Sequence, residues 1–174
     1  MKSPTVEYDS NDNVVYFKNI NGDEYSYDYD SSNVLRFYKE TETDDEIQKW
    51  RKWYYNSTGV LTYSETSSDS QYWYHSNGIV SHDINSMGKH RWYDSKGRIT
   101  HEEYPESKDH PEGLEVWYEY DGDMIHQWNS KGIETWYDSD GRITCRKYSS
   151  GLKEVYVYDE DDNVIDTITS TTTN

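Results

Sequence analysis

Alanine is missing from the chain altogether, and phenylalanine occurs only twice, proline three times and cysteine once in 174 residues. A single thiol, Cys145, excludes an internal disulfide. No apolar run approaches the roughly 20 residues of a membrane span. The opening Met1-Lys2-Ser3-Pro4-Thr5-Val6 lacks the apolar core of a signal peptide. These absences point to a cytoplasmic protein without a membrane partner. Basic residues are scarce too, with 17 Lys and Arg against 34 Asp and Glu for a formal charge of −17. Phosphates would meet a repulsive field, which disfavours direct nucleic-acid binding.

What the chain has instead is aromatics, 19 Tyr and 7 Trp among them. Low hydrophobicity with high charge suggests disorder, but disordered chains are poor in such residues, each of which can bury roughly 150 to 250 Å². A core made here must be aromatic. The length suits one domain or one array of repeats, and no linker divides it. The expected organisation is a single repeat domain over 1–166 and a flexible tail over 167–174.

Trp92-Tyr93-Asp94-Ser95-Lys96-Gly97-Arg98-Ile99-Thr100 returns as Trp136-Tyr137-Asp138-Ser139-Asp140-Gly141-Arg142-Ile143-Thr144. Shorter phrases at Asn56–Gly59, His75–Gly78, Asn85–Gly88 and Asn129–Gly132 share the same grammar and end in Gly. An Asx at the first position of a type I turn bonds the backbone ahead, and the closing Gly accepts positive φ, so each phrase reads as a hairpin tip with a G1 bulge. Weaker signals continue at Asp12-Asn13, Asn21-Gly22, Ser32-Asn33, Asp44-Asp45, Asp69-Ser70 and Asp162-Asn163. Flanks rich in Tyr, Trp, Val, Ile and Thr favour strands.

A three-residue loop would set Asp138 opposite Arg142, Tyr137 opposite Ile143 and Trp136 opposite Thr144. Tyr and Ile then share the candidate core face, and Trp, Asp, Arg and Thr the other. The same register at Asn129 would place Trp128 against Glu134, which suggests more than one loop type. The fold class is all-β, an antiparallel up-and-down meander of tandem hairpins. About thirteen strands at roughly 4.8 Å would span on the order of 60 Å, wide enough to favour a barrel, spiral or strongly coiled sheet. Residues 104 to 113, with Pro105 and Pro111, read as a loop.

Tyr93 to Thr100 and Tyr137 to Thr144, with echoes at Tyr118-Glu119-Tyr120-Asp121-Gly122 and Tyr156-Val157-Tyr158-Asp159, resemble the YD repeats of the RHS-like family. The resemblance covers 92 to 165 and implies long, coiled antiparallel sheets; the shell-building role of large members does not transfer to so short a chain. Trp53-Tyr54-Tyr55-Asn56-Ser57-Thr58-Gly59 is similar to the repeats of choline-binding and glucan-binding modules. In format, the chain also resembles bacterial antitoxin or immunity proteins with tandem repeats.

Catalytic signatures are lacking: no phosphate loop, HExxH, paired CxxC or nucleophile elbow. The six histidines share no ligand spacing and read as solvated or strand-surface residues. Asp159-Glu160-Asp161-Asp162-Asn163 begins like a calcium loop, but Val164 stands where glycine is needed and Ser170 where the closing glutamate belongs. Cys145 reads as a small packed side chain. The expectation is a non-enzyme with no cofactor and no metal.

The acid excess carries the functional expectation. Seventeen unbalanced charges equal those on about 29 Å of duplex DNA, so an acidic face could occupy the basic groove of a nuclease, restriction enzyme, toxin or nucleic-acid-guided effector. The chain then reads as an inhibitor of immunity, antitoxin or anti-defence type that acts by electrostatic mimicry. Its candidate partner-binding residues are Asp94, Asp121, Asp123, Asp138, Asp140, Asp159, Glu160, Asp161 and Asp162, with Trp92, Trp117 and Trp136 beside them. The competing explanation of the charge is solubility and edge protection. The competing function is a carbohydrate-binding module in which those tryptophans stack on sugar rings.

Overall fold

The computed structural model describes residues 3–44, 47–109, 112–121 and 123–171. Part of the turn expected at Asp44-Asp45, part of the proline loop, the glycine at 122 and the tail end 172–174 lie outside the described residues. Among the described residues there are sixteen strands: β1 (Thr5–Tyr8), β2 (Val14–Lys18), β3 (Glu24–Tyr29), β4 (Leu35–Asp44), β5 (Ile47–Tyr55), β6 (Leu61–Thr66), β7 (Gln71–Tyr74), β8 (Val80–Ile84), β9 (His90–Tyr93), β10 (Ile99–Tyr104), β11 (Leu114–Asp121), β12 (Asp123–Asn129), β13 (Glu134–Tyr137), β14 (Ile143–Lys147), β15 (Leu152–Tyr158) and β16 (Val164–Thr171). They form one sheet in which each strand is bonded to the next in chain order. This is the expected antiparallel meander, with sixteen strands rather than thirteen because the chain also turns between β10 and β11, between β11 and β12, and at Tyr148 to Gly151 between β14 and β15. Among the described residues the order runs from β1 to β16 with no pairing of β1 to β16.

One turn recurs along the chain. Asp9, Asn19, Asp30, Asn56, Thr66, His75, Asp94, Asn129, Asp138, Tyr148 and Asp159 each donate their amide to the carbonyl four residues on, and accept at their own carbonyl the amide three residues on, at 2.8 to 3.2 Å. The fourth residue must take a left-handed conformation, which glycine does at 59, 97 and 141 among others. Asp12, Asn33, Asp69 and Asp162 adopt the same conformation at φ of 60 to 63°. Asp and Asn tolerate this region better than other side chains, so the weaker signals are the same phrase with glycine replaced.

Successive tips differ in the ladder beside them. In β1–β2, β3–β4, β5–β6, β7–β8, β11–β12, β13–β14 and β15–β16 the register shifts at a bulge next to the tip. The intervening pairs β2–β3, β4–β5, β6–β7, β10–β11, β12–β13 and β14–β15 run without one. Tyr137 therefore faces Ile143 as expected, but Trp136 faces Cys145 instead of Thr144, which is the extra residue of the bulge. At Asn129 the turn is the same as at Asp138 and Trp128 does face Glu134, so one loop type serves both.

The chain falls into two compact units, Met1–Gly88 with Tyr93–Arg98 and Lys89–Trp92 with Ile99–Asn174. In the first, rings stack across strands as Tyr27–Tyr38–Trp53 on one face and meet, mostly tilted, as Phe37–Tyr54–Tyr63–Trp73–His82 on the other. In the second, Thr167 to Thr171, placed in the tail by composition, belong to β16 and pair with β15. The expected Tyr and Ile core does not form as a dry layer. Among the described residues the buried side chains are Val116 and the polar Thr41, Ser64, Asp83, Glu102 and Thr135. Each polar group there needs a partner. Glu102 receives Lys89 as an ion pair and the hydroxyls of Tyr104 (2.9 Å) and Tyr118 (2.7 Å).

Candidate partner-binding surface

In an antiparallel meander alternate tips lie on the same rim of the sheet. In the second unit the β11–β12, β13–β14 and β15–β16 tips therefore share one rim, which collects Asp121, Asp123, Asp138, Asp140, Asp159, Glu160, Asp161 and Asp162. Asp94 belongs to the β9–β10 tip and to the first unit.

These acids are of two kinds. Asp94 Oδ1 accepts the amides of Lys96 (2.8 Å) and Arg98 (3.0 Å), and its Oδ2 accepts Arg98 Nε (2.8 Å). Asp138 does the same with the amides of Asp140 and Arg142 (both 3.0 Å) and Arg142 Nε (2.8 Å). Asp159 holds the amides of Asp161 (2.9 Å) and Asn163 (2.8 Å). The Arg98 amide leads in lowering the Asp94 carboxyl to about 2, with desolvation opposing it. The amides of Arg142 and Asn163 likewise lead in lowering Asp138 and Asp159. All three carboxylates, half-buried, fasten their own turns. The second kind, Asp121, Asp123, Asp140, Glu160, Asp161 and Asp162, is exposed.

Arg142 ties two tips of this rim together. Its guanidinium bonds Asp138, Asp140 (3.1 Å) and, from the next tip along the rim, Asp162. Its pKa is raised, first by Asp138 and then by Asp162. On the opposite rim of the same unit, the tips at 129–132 and 148–151 carry no acid and include Lys131, while the proline loop presents exposed Glu106, Asp109 and Glu112.

The tryptophans lie away from the tips, on one face of the second unit. Cross-strand registers put Trp117 beside both His101 and Trp128, and His126 beside Trp136. The rings stack as Trp92–His101 (4.5 Å), His101–Trp117 (5.1 Å), Trp117–Trp128 (6.1 Å) and His126–Trp136 (4.6 Å), with interplanar angles of 20° or less. His101 and His126, expected as solvated or strand-surface residues, are half-buried members of this stack on the strand surface. Glu115 lies 3.3 Å from His101, and Glu119 and Glu134 lie 3.6 and 3.7 Å from His126. Trp128 and the two histidines were missed because their partners come from neighbouring strands; His101, one residue after the repeated phrase, is the only one whose position hinted at it. A shallow, open depression beside the stack is lined by Glu119, His126, Trp128, Asn129, Gly132 and Glu134.

Cys145 is half-buried, opposite Trp136 and Val155. Among the described residues no group of three or more His, Cys, Asp or Glu is placed to hold a metal ion. Among them, too, no helix is long and apolar enough to cross a membrane.

No family model and no curated protein sequence matches the chain. Among solved structures it is similar to TcdB2-TccC3-Cdc42, with a TM-score of 0.35 and 11% identity over 98% of this chain and 12% of that one. A second is TcdB2-TccC3-TEV, at 0.35 and 10% over 94% and 10%. A third is the Photorhabdus luminescens Tc holotoxin pore, at 0.27 and 12% over 95% and 12%. The likeness is loose, and the chain spans only those small fractions of their length.

Proposed function

We propose that the chain is a non-enzymatic acidic binding protein that blocks a basic, nucleic-acid-binding protein, as an inhibitor of immunity, antitoxin or anti-defence type. One observation carries this reading: six exposed carboxylates gather on three tips of a single rim, while two of the three connections on the opposite rim have none. Tips two strands apart repeat at about 9.6 Å, so the three span about 19 Å, a length over which duplex DNA carries about 11 charges. The rim thus offers roughly half the charge density of a duplex. That is enough to steer a basic groove into contact, with the turn-fastening aspartates adding structure rather than free charge.

The test is capture of partners from the native cell at low and at high salt, followed by competition with a duplex DNA fragment. Asp121→Asn, Asp123→Asn, Asp140→Asn and Asp161→Asn combined should abolish capture, and Glu106→Gln, Asp109→Asn and Glu112→Gln should leave it. Capture that is indifferent to salt would dispose of the proposal. A second reading, a carbohydrate-binding module, draws support from the shallow depression beside Trp128 with its flanking carboxylates. Stacking turns the ring faces of Trp92, Trp117 and Trp136 toward neighbouring rings, leaving mainly edges for a sugar. A glycan array on which Trp128→Ala and Trp136→Ala match the unaltered chain would remove it.

A further inference from the structure

Eight of the tips that share the recurrent turn begin with Asp or Asn, at 9, 19, 30, 56, 94, 129, 138 and 159. In each, a side-chain oxygen of that first residue accepts the amides two and four positions on, at 2.8 to 3.1 Å. Two converging amides form a concavity suited to an anionic oxygen. The β6–β7 tip has the same backbone bonds but begins with Thr66, whose hydroxyl is paired with Ser68 Oγ at 2.9 Å. Among the described residues no side chain accepts the amides of Ser68 and Ser70. Beside this tip lies a half-open groove whose walls include Glu40, Glu42, Lys49, Arg51, Thr66 and Ser68. The groove exists because β4 and β5 overrun their neighbours: β3 reaches only to Thr41 and β6 only to Arg51. The register Glu40–Arg51–Thr66 puts those three side chains on one face, with Glu42 opposite Lys49. Among the described residues neither Glu40 with Arg51 nor Glu42 with Lys49 closes to an ion pair.

We infer that this groove binds a linear zwitterion of the ω-amino carboxylate class. Its carboxylate takes the place of the missing aspartate, on the Ser68 and Ser70 amides beside Arg51 and Lys49, and its ammonium lies against Glu40 and Glu42. Charge selects this ligand. A simple anion would meet Glu40, Glu42 and the −17 of the chain, and a simple cation would meet Lys49 and Arg51. A molecule with both charges is neutral overall and supplies each wall with its complement. Length selects it too. The acidic wall on β4 and the amides of the β6–β7 tip stand two strands apart, about 9.6 Å, with the cations of β5 between them. Glycine is too short to reach from one to the other, whereas a chain of about six carbons spans most of that distance.

Titration of the full chain with 6-aminohexanoate, followed through the amide resonances of Ser68 and Ser70 by NMR, tests this. Both resonances should shift and saturate. Hexanoate, which lacks the ammonium, and hexylamine, which lacks the carboxylate, should bind at least tenfold more weakly, because each leaves one charged wall without its partner. Glu40→Gln and Arg51→Gln should each weaken 6-aminohexanoate by a similar factor. Thr66→Asp installs the carboxylate that the sister tips carry, so it should keep the strands by circular dichroism and abolish binding. Amides that do not move, hexanoate that binds as tightly as 6-aminohexanoate, or binding that survives Thr66→Asp would overturn the inference.

Discussion

The two copies of the nine-residue phrase differ by one letter inside the tip, Lys96 in the first and Asp140 in the second, and their turns are built alike. In both, an aspartate gathers two amides and the Nε of the arginine four residues on. The surroundings differ. Arg142 also holds Asp140 and, from the tip 20 residues further along the chain, Asp162. Around the first copy, within its own unit, Asn77 donates to the Ser95 carbonyl (2.9 Å), and His75 Nε2 lies 3.0 Å from the Tyr93 carbonyl. The turn is thus a local device, while the tie between tips depends on which residues the meander brings alongside.

The largest expected effect comes from removing the fastener. Asp94→Ala and Asp138→Ala should each lower the thermal midpoint by several degrees, because the tip amides lose their acceptor. Each also releases its own arginine, Arg98 or Arg142, so the two falls should be comparable; clearly unequal falls by differential scanning calorimetry would mean that the surroundings of the tips, not the turn itself, set the loss. Next, Gly97→Ala and Gly141→Ala should each cost at least about 1 kcal/mol for the left-handed backbone. They should cost alike, since an added Cβ meets Ile79 at an ordinary 3.4 Å in one and open space in the other. Chemical denaturation would reveal any inequality.

A subtler contrast concerns acid. The Asp94 carboxyl is depressed from an ordinary 3.8 to about 2 on folding. Its charge therefore contributes stability in full above pH 3.8 and loses that contribution as pH falls toward 2. Asp94→Asn keeps an acceptor for the amides, as Asn56 and Asn129 do naturally, but loses the charge, so the melting temperature should fall modestly at neutral pH and the gap from the unaltered chain should close as pH falls from 3.8 to 2. The smallest effect belongs to Asp140→Lys, which makes the two phrases identical within the tip. It removes one exposed ion pair and should cost less than about 0.5 kcal/mol; a larger loss in the same melts would mean that the Asp140–Arg142 pair carries more of the tip's stability than an exposed pair does.

Much of the fold was legible because its rules are short in sequence. A phrase of four residues ending in glycine marks a tip, and Tyr137 with Ile143 follows from it. The grammar extends further than glycine suggests, since Asp12, Asn33, Asp69 and Asp162 fill the same left-handed position. The bulges were not legible: nothing in Thr144 announces that it will be the unpaired residue and send Trp136 to Cys145. Nor was the buried cluster, because Lys89, Glu102, Tyr104 and Tyr118 meet across strands. There burial works to raise the Glu102 carboxyl, but hydrogen bonds from Lys89, Tyr118 and Tyr104 prevail and lower it. For the candidate surface, the acids were identified by composition, and the topology sorted them into turn fasteners and exposed rim charges.

The alternation of bulged and unbulged hairpins gives the sheet a grain. Tips with a register shift and tips without one fall on opposite rims. Deleting or inserting one strand would transfer every later bulge to the wrong side and invert the faces of all that follows, whereas a change of two strands leaves the pattern in phase. Lengthening or shortening this protein by design should succeed only in steps of a whole hairpin and its return.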